Sequence, residues 1–294
     1  IPASTATSHP GAVLTFRLAF KPIGMAYAAD GEAILLSRDQ RFAMVRAADG
    51  SLISEFTVPG KVSAFELSPD GALVAAAVTS DQGTVDVAMY ETSSGALLYT
   101  IAVASEGIRL RFSPDGTTLV AGLSDGTVRL FDTSDGKQRF SFKAHDGAVM
   151  CLAVAADGGH IVTGSIFPDR RVIAWTTEGE AVGTLSQGST HCYLAAFSND
   201  GSWLMYHTGE KMSLHRASDW DRRWFSDFNP GSAPLVGFAP DGRLYQADRK
   251  GTVRLLDPDT QTLTATLELG QLVALGFSPG GKTIAVIRSS GVIE

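Results

Sequence analysis

The chain has 294 residues and a formal net charge of −7, with 44% hydrophobic and 19% charged residues, 31 Gly and 12 Pro. This composition excludes a disordered chain, a collagen and a coiled coil, and the negative balance argues against a nucleic-acid partner, whose phosphates call for a basic surface. No run reaches the roughly 18 apolar residues of a membrane-spanning helix, so no membrane insertion is expected.

The first ten residues, IPASTATSHP, are rich in Ser, Thr, Ala and Pro. Residues 1–12 therefore read as a linker-like segment and 13–294 as one domain. A domain cut from a longer protein and a mature chain after signal removal both fit that start. The segment 13–20 is a strand-length apolar run that precedes the first turn signal.

From there, one unit recurs. Asp-Gly or Gly-Gly turns end at Gly31, Gly71, Gly116, Gly158, Gly201, Gly242 and Gly281, spaced 40, 45, 42, 43, 41 and 39 residues apart. Each lies between two short apolar runs, the pattern of a tight hairpin whose glycine accepts a positive φ. Four such runs fill each period, for example 108–112, 119–123, 128–131 and 138–142. A period of about 40 to 45 residues with four strands predicts a propeller blade, and seven turns predict seven blades. After Gly281 the chain supplies two further strands and stops. The fourth strand of the last blade is expected from 13–20, so that the chain ends clasp and no sheet edge stays open.

These units resemble WD40 repeats, most closely along FSPDGTTLVAGLSDGTVRLFD, residues 112–132. The resemblance covers the chain after residue 12. It implies an all-β, seven-bladed propeller of four-stranded antiparallel blades that serves as a noncatalytic scaffold for a protein or peptide. It also implies, in each complete repeat, a hydrogen-bonded set of a loop His, a second-strand Ser or Thr, a turn Asp and a third-strand Trp. In the fourth unit His145, Thr163, Asp169 and Trp175 match it position by position. In other units Val45, Tyr90, Phe131 and Leu256 stand where the Trp would be, which marks a divergent member.

Candidate sites follow from position. Five residues before each turn glycine stand Ala26, Glu66, Arg111, Ala153, Ala196, Gly237 and Gly276. Small residues suit inner strands that crowd the axis, so Glu66 and Arg111 are expected to face each other as an ion pair beside the channel. The alternative is a ligand site at the channel mouth, joined by Arg109. Loops between second and third strands carry Arg38, Arg41, Phe167, Arg170, His207, Glu210, Arg249 and Lys250, and this rim is the candidate partner-binding surface. The segment DWDRRWFSDF, 219–228, reads either as an interface or as Trp224 and Phe228 packing inward between solvated Arg222 and Arg223; Trp220 has no assigned role.

No GxSxG, HExxH or Gly-rich phosphate loop occurs, so no catalytic residue is assigned and no cofactor is expected. The two cysteines, Cys151 and Cys192, both sit in apolar runs, so a disulfide framework is excluded and a single bridge is not expected. With His191, His207 and His215 they lack metal-ligand spacing, and no metal is expected. The rival reading is a small-molecule sensor, or an enzyme of the quinoprotein or lactonase kind, working at the channel mouth. The domain is expected to be monomeric. Arg outnumbers Lys and Ala is frequent, a usage that suggests a bacterial-type chain.

Overall fold

Each Asp-Gly or Gly-Gly turn joins the first and second strands of a four-stranded antiparallel sheet in a computed structural model of the chain. The structure describes residues 14–80, 83–105, 107–187, 191–208, 211–226, 235–248 and 250–294. The linker-like segment 1–12 and Val13 lie outside them. Six consecutive sheets begin with the strands Gly24–Tyr27, Lys61–Leu67, Ile108–Phe112, Val149–Val154, Leu194–Phe197 and Leu235–Phe238. We number them blades one to six. Blade seven consists of Ala274–Phe277, Ile284–Ile287, Val292–Ile293 and, as its outer strand, Phe16–Arg17. Phe16 pairs with Ile293 and Arg17 with Val292, so the two ends of the chain clasp in one sheet.

The turns form because their own side chains satisfy the backbone. In Ser-Pro-Asp-Gly of blade three, Ser113 Oγ donates to Asp115 Oδ1 at 2.5 Å and accepts from Thr118 N at 2.9 Å. Asp115 Oδ1 also accepts from Thr117 N, and Gly116 sits at φ +71°, where a Cβ is strained. Blades two and five repeat the arrangement with Ser68–Asp70 and Ser198–Asp200.

The same turns pack blade against blade. A Cβ on Gly116 would lie 3.6 Å from Pro69 of blade two, and one on Gly281 would lie 3.8 Å from Pro240 of blade six. The series closes across the chain ends, where Pro279 of blade seven lies 3.4 Å from the Cβ position of Gly31 in blade one. Gly242 departs from it, with nothing within 4 Å, so blades five and six lack this contact.

The core lies between adjacent blades. Leu35, Phe42 and Met44 of blade one pack on Val74, Ala76 and Tyr90 of blade two, and Val120, Val128 and Leu130 of blade three on Leu152, Ile161 and Trp175 of blade four. Period-two alternation along each strand sends one face to each neighbour, which makes the central strands nearly continuous in apolar residues.

One expectation is overturned. Cys151 and Cys192 are bonded as a disulfide, with Cα atoms 6.0 Å apart. Their separation of 41 residues is one blade period, which brings them together on the first strand of blade four and the approach to that of blade five. Apolar surroundings made each cysteine look like an isolated core thiol. Gly164 makes room for the bridge: a Cβ there would lie 2.4 Å from Cys192 Cβ and 2.7 Å from Cys151 Sγ.

Candidate functional site

In a meander of four strands, the loops from second to third strand and from outer strand to next blade open on one face of the disc. Among the described residues, blade four displays the most exposed large apolar side chain of this face, Phe167, which is 68% exposed. A buried network holds its loop. Trp175 Nε1 donates to Thr163 Oγ1 at 2.8 Å, and Thr163 Oγ1 lies 2.7 Å from His145 Nε2. The indole can only donate and the Asp169 carboxylate can only accept; with a neutral imidazole between them, Thr163 accepts from Trp175 and gives its own proton to His145 Nε2. His145 then carries its hydrogen on Nδ1, 3.0 Å from Asp169 Oδ2.

Burial pushes the His145 pKa down, against the pull of Asp169, and keeps the ring neutral. The Asp169 carboxyl is held down at about 2: burial would raise it, but hydrogen bonds from Ser165, Arg171 and His145 prevail. Ser165 Oγ donates to Asp169 Oδ1, and Arg171 Nη2 lies 3.0 Å from Oδ2. Ser165 and Arg171 were not singled out in the sequence; their positions four before and two after Asp169 are the signal that finds them. Asp169 thereby anchors the turn on which Arg170 stands with its guanidinium 5.5 Å from the Phe167 ring centre.

The other rim residues do not form one site. Arg38 and Arg41 are exposed on a two-residue turn of blade one, paired in register. Blade one lies three blades from blade four, so Phe167 and Arg170 are on another sector of the face. Lys250 is exposed on blade six; Arg249 and Glu210 lie outside the described residues. His207 is corrected: it is 1% exposed and belongs to the interior, because it ends a second strand whose five residues are all buried. The face carries apolar groups that the sequence reading missed. Ile23, Tyr193 and Val273 are 53%, 51% and 40% exposed. Each precedes a first strand and donates its N–H to a carbonyl at the end of the second strand, that of Ser37, His207 and Ile287, so all three stand at equivalent places near the channel mouth.

Comparisons with known proteins agree with this geometry. The sequence profile of the anaphase-promoting complex subunit 4 WD40 domain matches residues 93–157. The Xenopus tropicalis intraflagellar transport protein 122 homolog is 40% identical over 118 residues, 37% of this chain and 10% of that protein. The human angio-associated migratory cell protein is 37% identical over 76 residues, 25% of this chain and 17% of that protein. The Arabidopsis thaliana SEC12-like protein 2 is 26% identical over 194 residues, 61% of this chain and 48% of that protein. The chain folds as a seven-bladed β-propeller whose repeats are similar to WD40 repeats. It spans about a tenth of the length of the intraflagellar transport relative that it matches.

The remaining candidates stand on the inner strands of the propeller. Arg111 Nη1 and Glu66 Oε2 are 3.1 Å apart across the boundary of blades three and two. Arg109 is spent on the backbone: its Nε donates to Met150 O of blade four at 2.7 Å. Beside Arg111 lies a cavity of about 650 Å3 lined by Ala153, Ala196, Gly237 and Tyr245 and reaching the turn residues Pro114, Ala156 and Asn199. Burial pushes the Tyr245 hydroxyl up to about 12, and it occupies the space a Cβ on Gly237 would need.

The aromatic segment of blade five is largely structural. Trp224 packs in the core shared with Trp203 and Leu244. Trp220, in the left-handed region at φ +58°, sets its ring 5.4 Å from His160 and 6.3 Å from Phe197, which seals blade four against blade five. Arg223 pairs with Asp219 and Asp221, Arg222 is exposed, and Phe228 lies outside the described residues. Among the described residues no three His, Cys, Asp or Glu converge as metal ligands, and no helix is long and apolar enough to cross a membrane.

Proposed function

We propose that this WD40-like propeller is a noncatalytic, monomeric interaction module that binds a protein or peptide on the face carrying Arg38, Arg41, Phe167, Arg170 and Lys250. The observation that carries the reading is Phe167: a side chain 68% exposed on a turn anchored through Asp169 is a preformed anchor that loses little entropy on binding. Ile23, Tyr193 and Val273 extend the apolar surface toward the channel mouth. The intraflagellar transport relative is far longer than the matched stretch, which supports a place for this propeller within a larger protein.

Affinity capture from the source cells tests the reading. Phe167→Ser with Arg170→Glu is expected to lose a stoichiometric partner that the outer-strand variant Leu98→Ser retains. Equal capture by both variants contradicts it. The second reading, a small-molecule sensor or a propeller enzyme, is favoured by the cavity of about 650 Å3 with Arg111 and Tyr245 on its wall. A metabolite that raises the melting temperature of wild type, and not of Arg111→Met, would support it.

A further inference from the structure

The loop face of blade one holds a basic cleft in a chain that is acidic overall. Lys21, Arg38, Arg41 and Lys61 surround a depression of about 690 Å3; among the described residues Asp39 is the one carboxylate on its wall, and half-buried Phe20 lies beside it. Lys21 comes from the connection between the clasp strand and blade one, Arg38 and Arg41 from the blade-one turn, and Lys61 from the start of blade two. Three separate segments thus bring four cations to one place.

The cleft is built rather than incidental. Val62 N donates to Asp39 O at 3.2 Å and Val58 N to Gln40 O at 2.9 Å, so the turn's carbonyls point into the protein and its side chains outward. Arg38 Nη1 donates to Lys21 O at 3.0 Å, which fixes one side of the cleft to the other. Asp39 takes the left-handed φ of +53° that the two-residue turn needs, and its carboxylate lies 3.6 Å from Arg38 Nε. Among the described residues no carboxylate comes within ion-pair distance of Lys21, Arg41 or Lys61. Three cations at one cleft therefore keep their charge for something else.

We propose that this cleft binds a short acidic segment of a partner protein, carboxylates toward Lys21, Arg41 and Lys61 and an apolar side chain on Phe20. The inference rests on the interaction reading above and names the chemistry of one partner segment. A polynucleotide fits less well. Its long run of phosphates would be repelled by a body of net charge −7, whereas a short peptide meets the local field of the cleft.

The test is fluorescence anisotropy with the whole protein and a labelled ten-residue Glu-rich peptide containing one central Leu. Comparators are the same peptide with Gln in place of Glu, and a ten-nucleotide single-stranded oligonucleotide. The Glu peptide is expected to bind at least about tenfold more tightly than the Gln peptide, with a preference that shrinks as salt rises. Arg41→Glu with Lys61→Glu should abolish that preference, Arg41→Gln with Lys61→Gln should weaken it, and Lys137→Glu on blade three should leave it intact. These residues are exposed, so an unchanged thermal transition accompanies each variant. Absence of the preference, its survival in the double charge reversal, or tighter binding of the oligonucleotide overturns the proposal. Cellular capture that depends on Phe167 is measured separately, so failure of the cleft and failure of the interaction reading are distinguishable.

Discussion

Trp175 Nε1 donates to Thr163 Oγ1 at 2.8 Å, one end of a buried chain in blade four that the Asp169 carboxylate closes at the other. Because the Asp169 carboxylate can only accept, the neutral histidine presents its proton to Asp169 and its bare Nε2 to Thr163, whose hydroxyl donates there while accepting from the indole.

Thr163→Val should therefore cost more than the loss of one hydrogen bond, since it strands both the Trp175 N–H and His145 Nε2. The expected destabilisation is about 2–4 kcal/mol, from two buried groups left without partners. Trp175→Phe removes a donor whose absence Thr163 tolerates, and should be the milder change. Urea unfolding of both variants checks the order, and a milder Thr163→Val would contradict the assigned bond directions.

Buried histidines make stability fall in mild acid. Burial pushes the pKa values of His145, His207 and His215 below the usual histidine range. The unfolded chain therefore takes up protons first as pH drops below about 6.5, and the stability contributed by the neutral rings is lost as pH falls through the folded-state values. The carboxyl of Asp169 acts in the same sense at lower pH, between its ordinary value and about 2. The melting temperature should be nearly flat from pH 8 to 7 and fall between pH 6.5 and 5, with a shallower fall in His215→Phe. A melting temperature that rises toward pH 5 would contradict this.

The disulfide predicts that the native protein, denatured without reductant, shows no thiol from Cys151 or Cys192. Joining residues 41 apart, it should contribute about 2–4 kcal/mol. Cys151→Ala with Cys192→Ala should unfold at correspondingly lower urea. Two free thiols in the untreated protein would remove the bridge from the account.

Glu66 and Arg111 are coupled across two blades. Desolvation pushes the Glu66 carboxyl up, while Arg111 opposes the shift. Arg111→Met leaves a largely desolvated carboxylate without its cation and should cost roughly 1–3 kcal/mol, reduced by residual solvent screening. Adding Glu66→Gln should restore part of that loss. Full additivity of the two changes in a double-mutant cycle would show no coupling.

The ring was legible because its signals are local and repeated: a glycine at positive φ every blade, apolar runs between, and three strands at one chain end that await a fourth. The Glu66–Arg111 pair was legible because small residues occupy the same inner position in the other blades. What stayed hidden depends on juxtaposition across blades. Cys151 and Cys192 looked like separate core thiols until their spacing is read as one blade period. His207 looked like a loop residue because the second strand of blade five runs to its end. Lys21 and Lys61 belong to two connections far apart in sequence, and only the closed disc sets them beside Arg38 and Arg41.

The central claim is that partners are held on the face that displays Phe167. Once capture identifies a partner, hydrogen exchange of the complex tests that claim most directly. The account predicts slower exchange in the loops around residues 38–41 and 166–170 and at Tyr193, with the outer strands Leu52–Thr57 and Gln138–Lys143 unchanged. Protection confined to the outer strands, or to the channel wall around Ala196 and Gly237, would contradict it.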